Sequence, residues 1–207
     1  THIGLDISEN LAMENLMVIV HKAREVSRGI TIDMESSELT DITLNIYKKT
    51  VAEFNQTGTV LQAYLFRSLD DLKNIDSPQL KLRICKGIYR EPPEIAFQTK
   101  EEIRNNFITL VQTLLNGQGT AQIATHDPII IDSLENWIEE NKIPPNRFEF
   151  QVLYGVPMER RLEQLRDKGW TVRIYVPFGN QWFDYSVRRL KENPKIVGYV
   201  LGNLFKR

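Results

Sequence analysis

Residues 119–128 read Gly119-Thr120-Ala121-Gln122-Ile123-Ala124-Thr125-His126-Asp127-Pro128. They hold one strand-to-helix unit in a single stretch. Gly117 and Gly119 close the amphipathic run before it. The apolar run 121–124 is bounded by turn residues and reads as a short strand. Thr125 and His126 end that strand on polar side chains. Asp127-Pro128 then places an N-cap residue ahead of Pro at the first helical position.

The same unit recurs on both sides. Strand-like runs fall at 30–32, 59–64, 80–85, 121–124, 148–153 and 171–176. Helix-period runs lie between them, at 10–28, 37–54, 68–74, 100–115, 128–141 and 159–168. Gly29 reads as a helix stop just before a strand, and Pro144-Pro145 sits in a loop. No low-complexity segment, linker or sequence repeat breaks the alternation.

Repeated βα units imply a parallel sheet, either doubly wound or closed into an eight-stranded barrel. Two observations favour the barrel. No G-x-G-x-x-G follows the first strand, so the dinucleotide fingerprint of the doubly wound fold is missing. In addition, the strands end in polar side chains: Asp33, Gln62, Lys86, Thr125 with His126, Gln151 and Tyr175. In a barrel such ends converge on one mouth, where active sites lie. The expected fold is therefore α/β, a (βα)8 TIM-like barrel with about six of its eight strands in this chain. Six strands do not close such a barrel. The expected organisation is one catalytic barrel domain over residues 1–207, lacking the first two barrel strands.

Composition narrows the class of partner. Of 207 residues, 42% are hydrophobic, which is enough for one buried core. Twenty-six basic and 27 acidic residues leave a formal charge of -1, so nothing advertises a nucleic-acid partner. The single Cys85 rules out a disulfide framework and suits a reducing compartment. The most apolar early run, 16–20, is too short to span a bilayer.

Few residues offer reactive chemistry. His2, His21 and His126 are scattered and form no metal-ligand spacing. Cys85 within a strand reads as a small buried hydrophobe, and Asp127 as a helix cap. Gly155 and Gly179 follow the last two strands, where phosphate-binding barrels place glycine loops. Arg83 and Lys86 are unexpected in a strand, because charge there is costly unless paired or bound to a ligand. With Gln62, Thr125 and Gln151 they suit a polar, anionic, extended cofactor such as a flavin nucleotide. Tyr89, Tyr154, Tyr175 and Tyr185 add aromatic surface. Near the C-terminus, Tyr185, Arg188, Arg189 and Glu192 share one helix face before Asn193-Pro194 stops the helix. That face reads either as a solvated surface with an Arg188/Glu192 pair or as a two-arginine fork for a carboxylate or phosphate.

Taken together, these motifs resemble the proline dehydrogenase family. The family's closing Y-x-x-R-R-x-x-E-N is matched by Tyr185, Arg188, Arg189, Glu192 and Asn193. The resemblance runs through Ile32-Asp33-Met34-Glu35, Leu61-Gln62-Ala63-Tyr64, Arg83-Ile84-Cys85-Lys86-Gly87, Ala124-Thr125-His126-Asp127, Gln151-Val152-Leu153-Tyr154-Gly155 and Tyr175-Val176-Pro177. It implies a distorted (βα)8 barrel with FAD along its mouth and a last helix over that mouth. It also implies oxidation of L-proline to pyrroline-5-carboxylate, the first step of proline catabolism, with electrons passed to a membrane quinone. Arg188 and Arg189 would pair with the proline carboxylate. Asp33, Tyr89, Leu153, Tyr175 and Tyr185 would shape the substrate pocket. Gln62, Arg83, Lys86, Thr125, His126, Gln151 and Glu192 would line the FAD site. The implied location is cytoplasmic, peripheral on the inner face of a bacterial membrane, or the matrix side of a mitochondrial one. The family's pocket lysine lies on a strand that would precede Thr1.

Two readings of other classes use the same residues. In one, a barrel lyase or aldolase would form a Schiff base on Lys86 and hold a substrate phosphate with Arg188 and Arg189. In the other, a non-catalytic interaction domain would present the 185–192 helix face to an acidic partner.

Overall fold

The computed structural model describes residues 3–176 and Gly179. Six strands and six α-helices alternate through them: α1 (Glu9–Glu25), β1 (Ile30–Ile32), α2 (Thr40–Glu53), β2 (Thr57–Gln62), α3 (Ser68–Ile75), β3 (Lys81–Cys85), α4 (Lys100–Asn116), β4 (Thr120–Ala124), α5 (Pro128–Glu140), β5 (Phe148–Leu153), α6 (Glu159–Asp167) and β6 (Val172–Tyr175). A 3-10 turn over Ser37–Leu39 leads into α2. The expected helix over 37–54 is thus split in two.

Strand order follows chain order, β1-β2-β3-β4-β5-β6. A doubly wound sheet reverses direction from its first strand, and this one does not. The pairings β1–β2, β2–β3 and β3–β4 are parallel, with Thr31 opposite Gly58, Val60 opposite Arg83, and Arg83 opposite Gln122. Burial agrees with barrel winding. On β3 and β4, Leu82, Ile84, Ala121 and Ile123 are wholly buried, whereas Arg83, Cys85, Gln122 and Ala124 on the opposite face are partly open. Only one face of these strands is sealed by helices.

The chain divides into two compact units, Thr1–Phe150 and Gln151–Arg207. In the first, α4 presents Phe107, Leu110, Val111, Leu114 and Leu115 to the core, and α5 presents Ile130, Ile131, Leu134 and Ile138. Both sets follow the 3.6-residue period of an amphipathic helix. A second cluster joins Ala12, Leu16, Val20 and Ala23 of α1 to Ile46 and Phe54, with Ile30 and Ile32 of β1 packed against it. In the second unit, β5 and β6 are joined where the Tyr154 amide donates to the Tyr175 carbonyl at 2.9 Å. Among the described residues, no helix is long and apolar enough to cross a membrane.

Two local expectations need correcting. Gly29 does not stop α1. Ser27 takes the left-handed conformation at φ 52° and Arg28 N–H closes onto Ala23 O at 2.9 Å, the hydrogen bond of a Schellman motif. Gly29 is needed for close approach instead, because a Cβ there would lie 2.8 Å from the Gln56 carbonyl oxygen. The second correction concerns Asp127, which is more than a cap.

Candidate active site

Four strands of the first unit deliver their C-terminal ends to one region, and that is where its polar side chains concentrate. Asp33 follows β1, and Gln62 ends β2. Arg83 lies on β3, Lys86 just beyond it, and Thr125 and His126 follow β4. Arg83 Nη1 donates to Asp33 Oδ1 at 2.6 Å, with the Arg83 side chain 20% exposed and that of Asp33 65%. The Gln62 side-chain amide donates to the Glu35 carbonyl at 2.8 Å. Thr125 Oγ1 accepts the Asp127 amide at 3.1 Å.

Asp127 is the centre of this group. Its Oδ1 caps α5 by accepting the Ile129 amide at 3.1 Å. Its Oδ2 accepts Arg104 Nε at 2.7 Å and also the Lys86 ammonium. The carboxylate is only 6% exposed. Burial alone would raise its pKa, but hydrogen bonds from Arg104 and Lys86, and the Lys86 charge, hold it below the usual carboxylate range. Two cations against one anion leave this trio with a net positive charge at the start of α5, where the helix dipole also favours an anion. An ammonium engaged to a carboxylate serves as a charge, not as the free amine that a Schiff base on Lys86 requires.

The neighbours behave accordingly. His126 is exposed at its surface, yet partial burial and then the Lys86 charge hold its imidazole below the ordinary value. Burial pushes the Cys85 thiol up to about 11. Cys85 is thus a quiet group at the end of β3, as the sequence suggests.

Tyr89 lies in the loop after β3, 40% exposed, with its hydroxyl donating to the Glu35 carboxylate. Its partner Glu35 and the nearby Glu91 are residues that sequence reading left without a role. Glu91 accepts the Ser37 amide at 2.8 Å and the Ser37 hydroxyl at 2.7 Å, and Tyr64 OH reaches it at 3.5 Å. Arg104, Glu35, Glu91 and Asp127 were therefore the missed members. Asp127 carried a signal as a cap, and Glu35 stood within a quoted motif. Arg104 and Glu91 showed none, because contacts over 23 and 54 residues leave no mark in local pattern.

In the second unit, Gln151 is buried inside β5 two residues before its end, with Leu153 on the same side of the strand. Tyr175 ends β6 and is 47% exposed. Gly155 has φ 84° and Gly179 φ 136°, conformations that favour glycine in the turns after these strands. Tyr185, Arg188, Arg189 and Glu192 lie outside the described residues.

The fold is built of parallel βα units, and in enzymes of that architecture active sites lie at the C-terminal strand ends, where this polar cluster stands. A family model described as proline dehydrogenase matches residues 2–200, and the chain belongs to the proline dehydrogenase family. Its class is that of an oxidoreductase acting on proline, at the first step of proline catabolism. Proline dehydrogenase 1 of Bacillus subtilis subsp. natto is 41% identical over 208 residues, spanning 100% of this chain and 68% of that protein. Proline dehydrogenase of Deinococcus radiodurans is 36% identical over 200 residues, 96% of this chain and 64% of its own length. Among solved structures, proline utilization A (PutA) from Bdellovibrio bacteriovorus, inactivated by N-propargylglycine, superposes with a TM-score of 0.80 at 27% identity. That match covers 91% of this chain and 22% of the PutA chain. The fold is accordingly the TIM-barrel type of the PutA proline dehydrogenase domain.

Proposed function

We propose that this chain, as a single catalytic domain, oxidises L-proline to pyrroline-5-carboxylate with FAD as cofactor and a membrane quinone as electron acceptor. The observation that carries this reading is the polar cluster at the ends of β1 to β4, in a chain of the proline dehydrogenase family. Its donor set fits FAD. Arg83, Lys86 and Gln62 supply cationic and neutral hydrogen-bond donors, and the Lys86–Asp127–Arg104 trio keeps an excess positive charge suited to a diphosphate. Thr125, His126, Gln151 and Glu192 complete the proposed cofactor contacts. The chemistry that FAD supplies when bound is acceptance of hydride from the ring carbon beside the proline nitrogen.

The protein's own task is orientation. Arg188 and Arg189 are assigned to the proline carboxylate, since a planar guanidinium fork matches it. Asp33, Tyr89, Leu153, Tyr175 and Tyr185 are assigned to the walls of the pocket. A chain with no membrane-crossing helix among its described residues would reach a membrane quinone from a peripheral, cytoplasmic or matrix-side position.

The arginines give the test. Loss of one partner from a desolvated charge pair costs about 2–5 kcal/mol, roughly 30-fold to several thousand-fold. The carboxylate is remote from the C–H bond broken, so it is held alike in ground and transition states, and the loss falls mainly on KM. Arg188→Met and Arg189→Met in the full-length, FAD-loaded enzyme should keep the flavin spectrum and raise proline KM by that factor. Unchanged proline KM in both variants would remove the arginines from the site.

A further inference from the structure

The loops after β1 and β3 meet above the end of β2, and the contacts between them are regular. Residues 33–36 have no helical or strand assignment, and Ser37 opens the 3-10 turn. Every second residue of this stretch is tied to the β3 side. Asp33 takes Arg83, Glu35 takes the Tyr89 hydroxyl, and Ser37 takes Glu91. From β2, Gln62 holds the Glu35 carbonyl at 2.8 Å.

The Glu91 contact differs from the other two. Neither Ser36, before the 3-10 turn, nor Leu39, before α2, makes a side-chain capping bond. The Glu91 carboxylate supplies one from 54 residues away, accepting both the amide and the hydroxyl of Ser37. An anion at that end is favoured by the unsatisfied N–H groups of the first turn. The loop that carries Glu91 is seated at both ends on β2's exit. Gly87, at φ 103°, leaves room for the Tyr64 ring, and Phe97 N–H donates to Tyr64 O at 2.8 Å. Leu65 and Ala96 form an antiparallel bridge, and the Phe66 and Phe97 rings meet edge to face at 4.7 Å. Between those two seats lie Tyr89 and Glu91. Tyr89 is 40% exposed, and its hydroxyl donates to the Glu35 carboxylate across the two loops.

We propose that Glu91 is a positioning residue for substrate binding: by capping the 3-10 turn from the opposite loop, it fixes Tyr89 and Asp33 at the proline pocket. The inference rests on the reading that Tyr89 lines that pocket. Glu91 itself touches neither substrate nor cofactor. A pocket wall that moves weakens ground and transition states alike, so the effect belongs in KM.

The experiment compares Glu91→Ala, Glu91→Gln, Ser37→Ala and Tyr89→Ala in the full-length enzyme, with FAD content and thermal midpoint recorded for each. Displacement of a substrate-positioning group by about 1 Å costs up to 100-fold. Glu91→Ala is expected to raise proline KM about 10-fold with kcat within about twofold. Glu91→Gln, which keeps one acceptor, should recover part of that loss. Glu91→Ala with Ser37→Ala should be no worse than Glu91→Ala alone, because the two share one contact. Amide exchange across residues 86–97 should accelerate in Glu91→Ala, a readout independent of turnover. If Tyr89→Ala raises KM while Glu91→Ala and Glu91→Gln leave KM and exchange unchanged, Glu91 has no positioning role and the pocket reading stands. If Tyr89→Ala leaves KM unchanged, the pocket reading fails and takes this inference with it.

Discussion

The two ends of β4 handle charge in opposite ways. At its N-terminal end, Arg147 donates to the carbonyls of Gly119 at 2.8 and 3.0 Å, Gly117 at 3.0 Å and Leu115 at 3.4 Å. Asp76 accepts the amides of Gly119 at 3.2 Å and Gln118 at 3.4 Å. These charges finish the α4-to-β4 turn by satisfying its backbone. At the C-terminal end, Lys86 and Arg104 meet the Asp127 side chain, and beyond them Arg83 meets Asp33. Side-chain partners can be re-aimed toward a ligand, whereas backbone partners cannot be exchanged without unfolding the turn. The base therefore directs its charges to the backbone, whereas the mouth keeps them between side chains, in line with the division of a barrel into a stabilising and a ligand-facing end.

The largest effect expected from this contrast is at the base. Arg147→Ala strands several carbonyls and removes charged hydrogen bonds, at a cost of about 2–3 kcal/mol. For a chain of this size that lowers the thermal midpoint by about 5–10 °C. Proline KM and kcat, measured well below the midpoint, should stay within about twofold of the parent. A large kinetic change at intact fold would break the division.

A smaller effect separates the two roles of Asp127. Its folded pKa is depressed, so its contribution to stability is complete above the ordinary carboxylate value of 3.8 and is lost as pH falls through the lower, folded one. Asn caps a helix as well as Asp does, so Asp127→Asn keeps the cap and removes the charge. The variant should be less stable near neutral pH, and the gap from the parent should close on acidification below about pH 4. Parallel stability curves for the two proteins would mean that only the cap matters.

The smallest effect is a null one. A thiol pushed up to about 11 has little thiolate at neutral pH. Alkylation of Cys85 in the folded protein at pH 8 should therefore be far slower than in the unfolded chain. Equal rates would mean an accessible thiol of ordinary acidity and would break the picture of a mouth in which Cys85 is quiet.

Much of this was legible in sequence because it is local. The strands at 30–32 and 148–153 stand as expected, as do the starts of α3, α4, α5 and α6 and the ends of β3 and β4, and the remaining element ends moved by one to three residues. The helix stop after α1 was misplaced at Gly29, since the left-handed position fell to Ser27, whose backbone strain is offset by the Schellman hydrogen bonds. The polar residues at the ends of β1 to β4 were visible one by one, and so was their convergence, because βα repetition admits few arrangements.

The amino-acid order by itself determined the alternation of strand and helix, the cap at Asp127, and the family, since each depends on neighbours within a few positions or on a linear motif. Only the tertiary structure decided how the charges are shared. Lys86 and Arg104 converge on Asp127 over 41 and 23 residues, and Glu91 caps a turn 54 residues away. Hydrogen bonding and ion pairing act through space over about 3 Å. Which residues come that close is set by strand order and loop path, and no local pattern records it.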